Sequence, residues 1–397
     1  MSKRVILLVA CVSFFALGWL AAVLGPALND LAEQNRTDVS AIGAIFLLTF
    51  LGGLPAQAAA GVLGDRYGQR PVLIAGVVLI GLSVFGLSLS PMLGLTLAFS
   101  LIWGLGFGTI DIGNNVLIAE LYAERVNVMN LLHVFFGIGA VVSPAAAGLS
   151  LELWDTALPA VWAGGVLMLA TLPFVYRLPR QRRTRDTGAP GDPPPAAFHY
   201  RVPLLWLFGL VMLVYVGIEV GIGGWAAIYL ERTTTLIPST AALATSGFWL
   251  ALSASRVLIA LIGGRLTPTQ VLWGSTLVSA AAGLLLAATT GNATLSIAAM
   301  LLAGFGFGPV YPTIIVIVTA IFRNAPGKAA SVCTILGGIG GGVIPWVQGI
   351  LLDRVSPEAS VLLIGAGAVS MLGLWMVARR ASNAYRQARQ HEQPLAA

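Results

Sequence analysis

Apolar runs of roughly 20 or more residues recur along the chain, parted by short polar breaks, and each could cross a hydrocarbon layer about 30 Å thick as a helix. Twelve such runs are read, beginning near residues 5, 39, 71, 93, 128, 157, 203, 239, 268, 293, 327 and 357. Their residues do not alternate in and out, so membrane strands are not expected. The first run follows a basic start, as a signal peptide would, but it continues to about Leu28, past a typical h-region. It is therefore read as a membrane helix. The predicted fold class is all-α integral membrane, with twelve transmembrane helices.

Composition strengthens that reading. Of the 397 residues 57% are hydrophobic and only 10% charged, and the mean hydropathy is +0.88. A soluble core could not hide that much apolar surface. The net charge of +6 invites a nucleic-acid partner, yet the positive charges sort by membrane side. With the N-terminus inside, eighteen of the 22 Lys and Arg face the cytoplasm; Arg36, Arg232 and Arg354 fall outside and Arg256 lies within a helix. Both termini are thus expected in the cytoplasm, with the lipid bilayer as partner and no nucleic acid. The two cysteines, Cys11 and Cys333, fall within predicted helices and imply neither a disulfide framework nor a metal site. No GxxxxGK[ST] loop occurs, so ATP is not the expected driver, and neither catalytic residues nor a cofactor are assigned.

The longest break, "RLPRQRRTRDTGAPGDPPPAAFHYR" (Arg177 to Arg201), divides six runs from six. This predicts an N-terminal bundle over 1–176, a cytoplasmic linker over 177–202, a C-terminal bundle over 203–378 and a tail over 379–397. The two halves repeat. "LIWGLGFG" (Leu101 to Gly108) matches "LLAGFGFG" (Leu301 to Gly308) at an offset of 200, and "GIGAVVSPAAAG" (Gly137 to Gly148) matches "GIGGGVIPWVQG" (Gly338 to Gly349) at 201. "GDR" (Gly64 to Arg66) matches "GGR" (Gly263 to Arg265) at 199. Parallel repeats of this kind are a common plan for transporters.

Between the second and third runs lies "GVLGDRYGQRPVL". Glycines there let helix ends approach closely, and Asp65 is suited to the positive end of another helix. On Gly61, Leu63, Asp65, Arg66, Gly68 and Arg70 this stretch resembles the signature GxLxDRxGxR of the major facilitator superfamily. The resemblance implies two pseudo-symmetric six-helix bundles, and a gating role for Gly61, Asp65, Arg66, Gly68 and Arg70 as a cytoplasmic latch between them. The second copy is degraded: Gly264 stands in the place of Asp65.

Three ionisable residues lie deep in predicted helices: Asp111, Glu219 and Arg256. Burying a charge in a bilayer costs about 3 kcal/mol or more, so such residues usually face a cavity or a partner. Asp111, Asn114 and Asn115 share a helical face, offering donors and acceptors for a polyhydroxylated ligand or oxygen ligands for a cation. In the seventh run Tyr215 and Glu219 stand at i and i+4; Gly217, Gly221, Gly223 and Gly224 would let that helix bend, and Trp225 and Tyr229 are read as belt aromatics or sugar-stacking groups. His133 and Arg256 are assigned to an inner gate or to the tuning of a carboxylate. Tyr311 occupies the position equivalent to Asp111 in the second half.

"GFGTIDIGNNVLI", "NLLHVFFGIGAVVSP" and "YVGIEVGIGGW" together look like the fucose-permease branch and the related sodium-dependent glucose transporter-like proteins. That resemblance implies a secondary transporter importing a small polar solute, a monosaccharide above all, coupled to H+ or alternatively Na+. It departs from the permease pattern in lacking an acid within the first helix, a gap Glu219 would fill. An efflux antiporter is the runner-up, although the Gly-Pro pair of the drug-antiporter signature is missing, and a ligand sensor that does not transport comes third. Asp111, Asn114, Asn115, Tyr215, Glu219, Trp225 and Tyr311 are the expected solute and ion residues. The protein is expected to be a monomer in the cell (inner) membrane, and not an enzyme.

Overall fold

The computed structural model describes residues 2–122, 126–179, 202–262, 265–323 and 325–392. Most of the expected linker, and Gly263 and Gly264 of the degraded second motif, lie outside them. The described residues form helices and no strand. In chain order these are α1 (Lys3–Gln34), α2 (Val39–Ile42), α3 (Ala44–Tyr67), α4 (Gln69–Leu89), α5 (Leu93–Leu121), α6 (Val126–Trp154), α7 (Leu158–Ala170), α8 (Leu172–Tyr176), α9 (Pro203–Thr233), α10 (Pro238–Ile262), α11 (Pro268–Ala288), α12 (Ala293–Phe307), α13 (Val310–Ile321), α14 (Pro326–Arg354) and α15 (Pro357–Glu392). Taking α2 with α3, α7 with α8 and α12 with α13, they make twelve spans long and apolar enough to cross a membrane. The span starts agree with the sequence reading to within a few residues.

Proline explains the break in the tenth span. The fourth span, α5, is continuous, whereas its counterpart divides at Gly308 and Pro309. Pro309 and Pro312 replace Thr109 and Ile112, removing two backbone donors that the helix needs. The seventh span departs from expectation. α9 runs unbroken through its four glycines, which serve instead as sockets: Gly217 receives Ile344, Gly223 receives Trp249 and Gly224 receives Phe46.

The repeated glycines have repeated jobs. A methyl on Gly106 would come within 2.8 Å of the Ile80 backbone nitrogen on α4, and one on Gly306 within 2.8 Å of the Ser279 nitrogen on α11. Gly104 likewise lies against the Thr49 carbonyl on α3, and Gly304 against the Phe248 carbonyl on α10. The fourth and tenth spans are thus wedged between two neighbours each, at backbone-to-backbone range. In a membrane, where apolar burial does not by itself drive helices together, such close contact supplies the van der Waals attraction that does.

The loop after α3 is tight. Gly68 has φ +83°, a conformation that side chains rarely adopt, and its N–H donates to the Gly64 carbonyl at 2.8 Å to close the helix. Arg66 lies over the Tyr67 ring at 5.2 Å and Arg70 over the Tyr176 ring at 4.6 Å. Asp65 and Arg66 are exposed, and Gly61 has open space around it.

Helices from the two ends of the sequence meet along α6 with α10, α3 with α14 and α1 with α9. At the end remote from the termini these pairs are tied by polar bonds. Asn29 Nδ2 on α1 donates to Glu231 Oε2 on α9 at 2.9 Å. The Ser40 N–H on α2 donates to Asp353 Oδ2 on α14 at 3.3 Å, and Arg232 holds Asp353 from behind at 3.0 Å. Arg354 reaches back to Ser40 Oγ at 3.4 Å and to Asp38 at 3.5 Å. Each is partly solvated and individually weak, on the order of 0.5–1 kcal/mol. Together they link helices from the two ends of the sequence at this end.

Two outcomes are expected. Gly106→Val and Gly306→Val should each lower the melting temperature of the detergent-solubilised protein, at a cost of about 1–3 kcal/mol from overpacking; a melting curve like wild type would mean the wedge is not tight. Asp353→Ala should shift spin-label distances between the α2 and α14 ends toward longer values, changing the open population by about threefold. An unaltered distance distribution would remove these bonds from any gating role.

Candidate functional site

The deep ionisable residues resolve into two clusters of opposite character. In the first, Asp111 on α5 is partly buried and is met by amides. Asn115, one turn on, donates through Nδ2 to Asp111 Oδ1 at 3.1 Å and to its carbonyl at 3.0 Å. Gln57 on α3 approaches Asp111 Oδ2 at 3.5 Å. Among the described residues no cationic side chain pairs with Asp111. Asn115 Oδ1 is buried and accepts nothing. Asn114 turns away: it is buried and donates to its own helix at the Ile110 carbonyl, 3.2 Å. The polar face therefore narrows to Asp111 and Asn115.

In the second cluster the charge is compensated. Arg256 Nη2 on α10 stands 3.7 Å from Glu219 Oε1 on α9, and Arg256 Nε donates to the Gly308 carbonyl at 2.8 Å. That carbonyl is free for a local reason. Its helical donor would be the N–H of residue 312, which is proline. Tyr215 is wholly buried, edge-on to Phe307 with centroids 6.1 Å apart, and its hydroxyl lies beside Glu219 and Arg256. His133 on α6 packs edge-on to Phe14 at 5.5 Å and lies within electrostatic reach of Arg256.

Tyr311 joins the clusters. Its hydroxyl shares a hydrogen bond with Thr334 Oγ1 at 3.1 Å, and it lies within electrostatic reach of both Asp111 and Glu219. The two residues that the repeat makes equivalent, Asp111 and Tyr311, thus lie within electrostatic reach of each other from opposite halves of the sequence.

Trp225 and Tyr229 belong to neither a belt nor an open cavity. Both are buried; Trp225 Nε1 donates to the Pro345 carbonyl at 2.8 Å and Tyr229 donates to Thr290 Oγ1 at 3.0 Å. Trp225 has no free polar atom to offer a solute. The motif residues Gly61, Asp65, Arg66, Gly68 and Arg70 lie toward the end that carries the termini, beginning one turn past Gln57 on α3. Sequence reasoning missed Gln57, Thr334 and Gly308. Gln57 left a signal, as the one amide in the apolar stretch "GGLPAQAAAG", and so did the Gly308 carbonyl, through the proline four residues on.

The comparisons with known proteins agree with this architecture. Residues 8–235, more than half of the chain, match the Major Facilitator Superfamily. The sodium-dependent glucose transporter 1 of Xenopus laevis is 25% identical over 377 residues, covering 88% of this chain and 76% of that one. Its human namesake is 26% identical over 403 residues, covering 92% and 77%. Among solved structures, a D-xylose-proton symporter superposes with a TM-score of 0.75 at 15% identity, over 94% of this chain and 98% of that one. The xylose transporter XylE from E. coli, in an inward open conformation, gives 0.74 at 16% identity over 92% and 95%. These structural likenesses speak for the fold. A multi-pass membrane transporter and not an enzyme, the chain belongs to the Major Facilitator Superfamily.

Proposed function

We propose that this chain imports a monosaccharide by alternating access, driven by symport of H+, with Na+ as the alternative ion, and that Asp111 is the coupling carboxylate. The single observation behind the assignment is the contrast between the two acids. Glu219 is neutralised by Arg256, whereas Asp111 has only amides. An ionised Asp111 leaves a net charge inside the bundle, at a cost of about 3 kcal/mol or more when water is excluded. Binding a proton, or a sodium ion, removes that charge and lets the halves close over the site. The unused Asn115 acceptor and the Tyr311 hydroxyl then offer the mix of hydrogen-bonding groups that a sugar requires. Relatives named for sodium-dependent glucose transport, and a structural neighbour named for proton-coupled xylose transport, are in keeping with both halves of this reading.

In this proposal the bundles 1–176 and 203–378 rock about the linker 177–202 as a monomer in the cell membrane, with the termini and the tail 379–397 in the cytoplasm. The polar ties at the end remote from the termini then close the outer side, so the present conformation faces inward. Gly61, Asp65, Arg66, Gly68 and Arg70 form the opposing inner latch, to be engaged when the outer side opens. His133 and Arg256 flank the inner approach to the site.

Purified protein in liposomes, given imposed H+ or Na+ gradients and a panel of sugars and cationic drugs, tests the function. Gradient-driven sugar accumulation supports symport; drug movement against a proton gradient, or no flux at all, overturns it. Asp111→Asn should abolish accumulation while sparing counterflow exchange and thermal stability, and retained accumulation would refute the coupling role. Glu219→Gln should behave differently. By leaving Arg256 with an uncompensated charge it should cost about 1–3 kcal/mol of stability, measured as a lowered melting temperature, and the double variant Glu219→Gln/Arg256→Met should recover part of that loss.

A further inference from the structure

One buried indole N–H in the interior has no explanation in the packing. Four tryptophans illustrate the rule that a buried indole N–H finds an acceptor or is sealed away from any ligand. Trp19 Nε1 donates to the Ala160 carbonyl at 2.7 Å, Trp162 to Ser88 Oγ at 2.9 Å and Trp225 to the Pro345 carbonyl at 2.8 Å. Trp375 has no acceptor, but it is enclosed between Phe208 and Trp273 in the interior of the second half. Trp249 fits neither case. Its Nε1 is buried and without an acceptor, while the side chain as a whole remains partly exposed.

Its position gives the orphan meaning. On α10, Trp249 stands seven residues before Arg256 and so on the same face, two turns away. Its ring edge fills the space over Gly223, which is one turn beyond Glu219 on α9. The indole is therefore the next group along from the Glu219–Arg256 pair, on the seam between α9 and α10. Across that seam runs α6, antiparallel to α10: Gly148 lies against Ser239 and Ala242, and Gly137 against Ser253. On α10, Ser246 stands one turn before Trp249, near the face that Ser239, Ala242 and Ser253 turn to α6. Its hydroxyl is buried and has no hydrogen-bond partner. Two orphaned polar groups, one donor and one hydroxyl able to do either, thus stand one turn apart where the two halves meet.

We infer that Trp249 and Ser246 form a hydroxyl-binding subsite for the transported sugar, with the indole N–H donating to one ring hydroxyl. The inference rests on the sugar reading above and extends it to residues of α10 where that helix meets α9 and α6. A glycine at 223 is then required because any side chain would displace the indole from its place against α9.

The test uses D-glucose and the complete set of its monodeoxy analogues, with the full chain in liposomes. Trp249→Phe keeps an aromatic ring and removes the N–H together with part of the indole's bulk. It should raise the half-saturation constant for D-glucose about tenfold with little change in turnover. One analogue should be about tenfold poorer than D-glucose for the wild type yet equal to D-glucose for Trp249→Phe, because the hydroxyl and its donor form one bond. A purely structural role for Trp249 would penalise every analogue by the same factor, and that result, or no change at all, overturns the inference while leaving sugar transport standing. Should Trp249→Phe fail to fold, Ser246→Ala carries the same comparison, with the same two outcomes read from its own analogue. If the wild type neither binds nor moves any sugar of the set, the sugar reading and this subsite fall together.

Discussion

The guanidinium of Arg256 is the constraint around which the second half is arranged. A permanent cation inside an apolar bundle must have its partners supplied by protein. It takes a carboxylate from α9 and a carbonyl from the end of α12, and so ties three helices at one depth. The carbonyl exists as a free acceptor only because Pro312 cannot donate to it. The proline that breaks the tenth span and the arginine set deep in the eighth are two parts of one solution. Among its described residues the first half has no such cation, its fourth helix is continuous, and its acid is left with neutral amides.

This asymmetry lies on a symmetric scaffold. The glycines that recur at an offset of 200 do the same work in each half, admitting a neighbouring backbone at Gly106 and again at Gly306. Duplication preserved the contacts that set helix spacing, since a side chain at these positions would drive two helices apart. It left free the positions that carry polar groups, where Asp111 and Tyr311 now differ. Close packing and chemistry have been separated onto different faces of the same helix.

Much of the fold was legible in the sequence for physical reasons. The hydrocarbon layer imposes a length on every span, so the twelve runs could be counted and their starts placed within a few residues. Deep charges stand out against an apolar background, which is why Asp111, Glu219 and Arg256 could be named. Their pairing could not, because which carboxylate meets the arginine depends on the rotation of α9 against α10, and a helix carrying polar groups on several faces does not declare that rotation. Asn114 shows the limit well. Spacing puts it near Asp111, yet a 100° step from Asn115 was enough to turn it onto its own helix. Trp225 looked like a stacking group, but only tertiary contact reveals that Pro345 takes its N–H. The glycines of α9 suggested a hinge, whereas their neighbours fill them and stiffen the helix.

Two differently treated acids suit a machine that must move one half against the other. A carboxylate held by a permanent cation keeps its charge balanced in every conformation, so Glu219 and Arg256 can travel as a unit within the second half at no change in electrostatic cost. A carboxylate held by amides has no such balance, and the energy of its ionised form follows the amount of water that reaches it. Asp111 lies on the first half but within reach of Tyr311 on the second, so its surroundings change when the halves part. In the proposed cycle, occupancy of that one acid biases the motion, while the compensated pair supplies a fixed wall for it to work against.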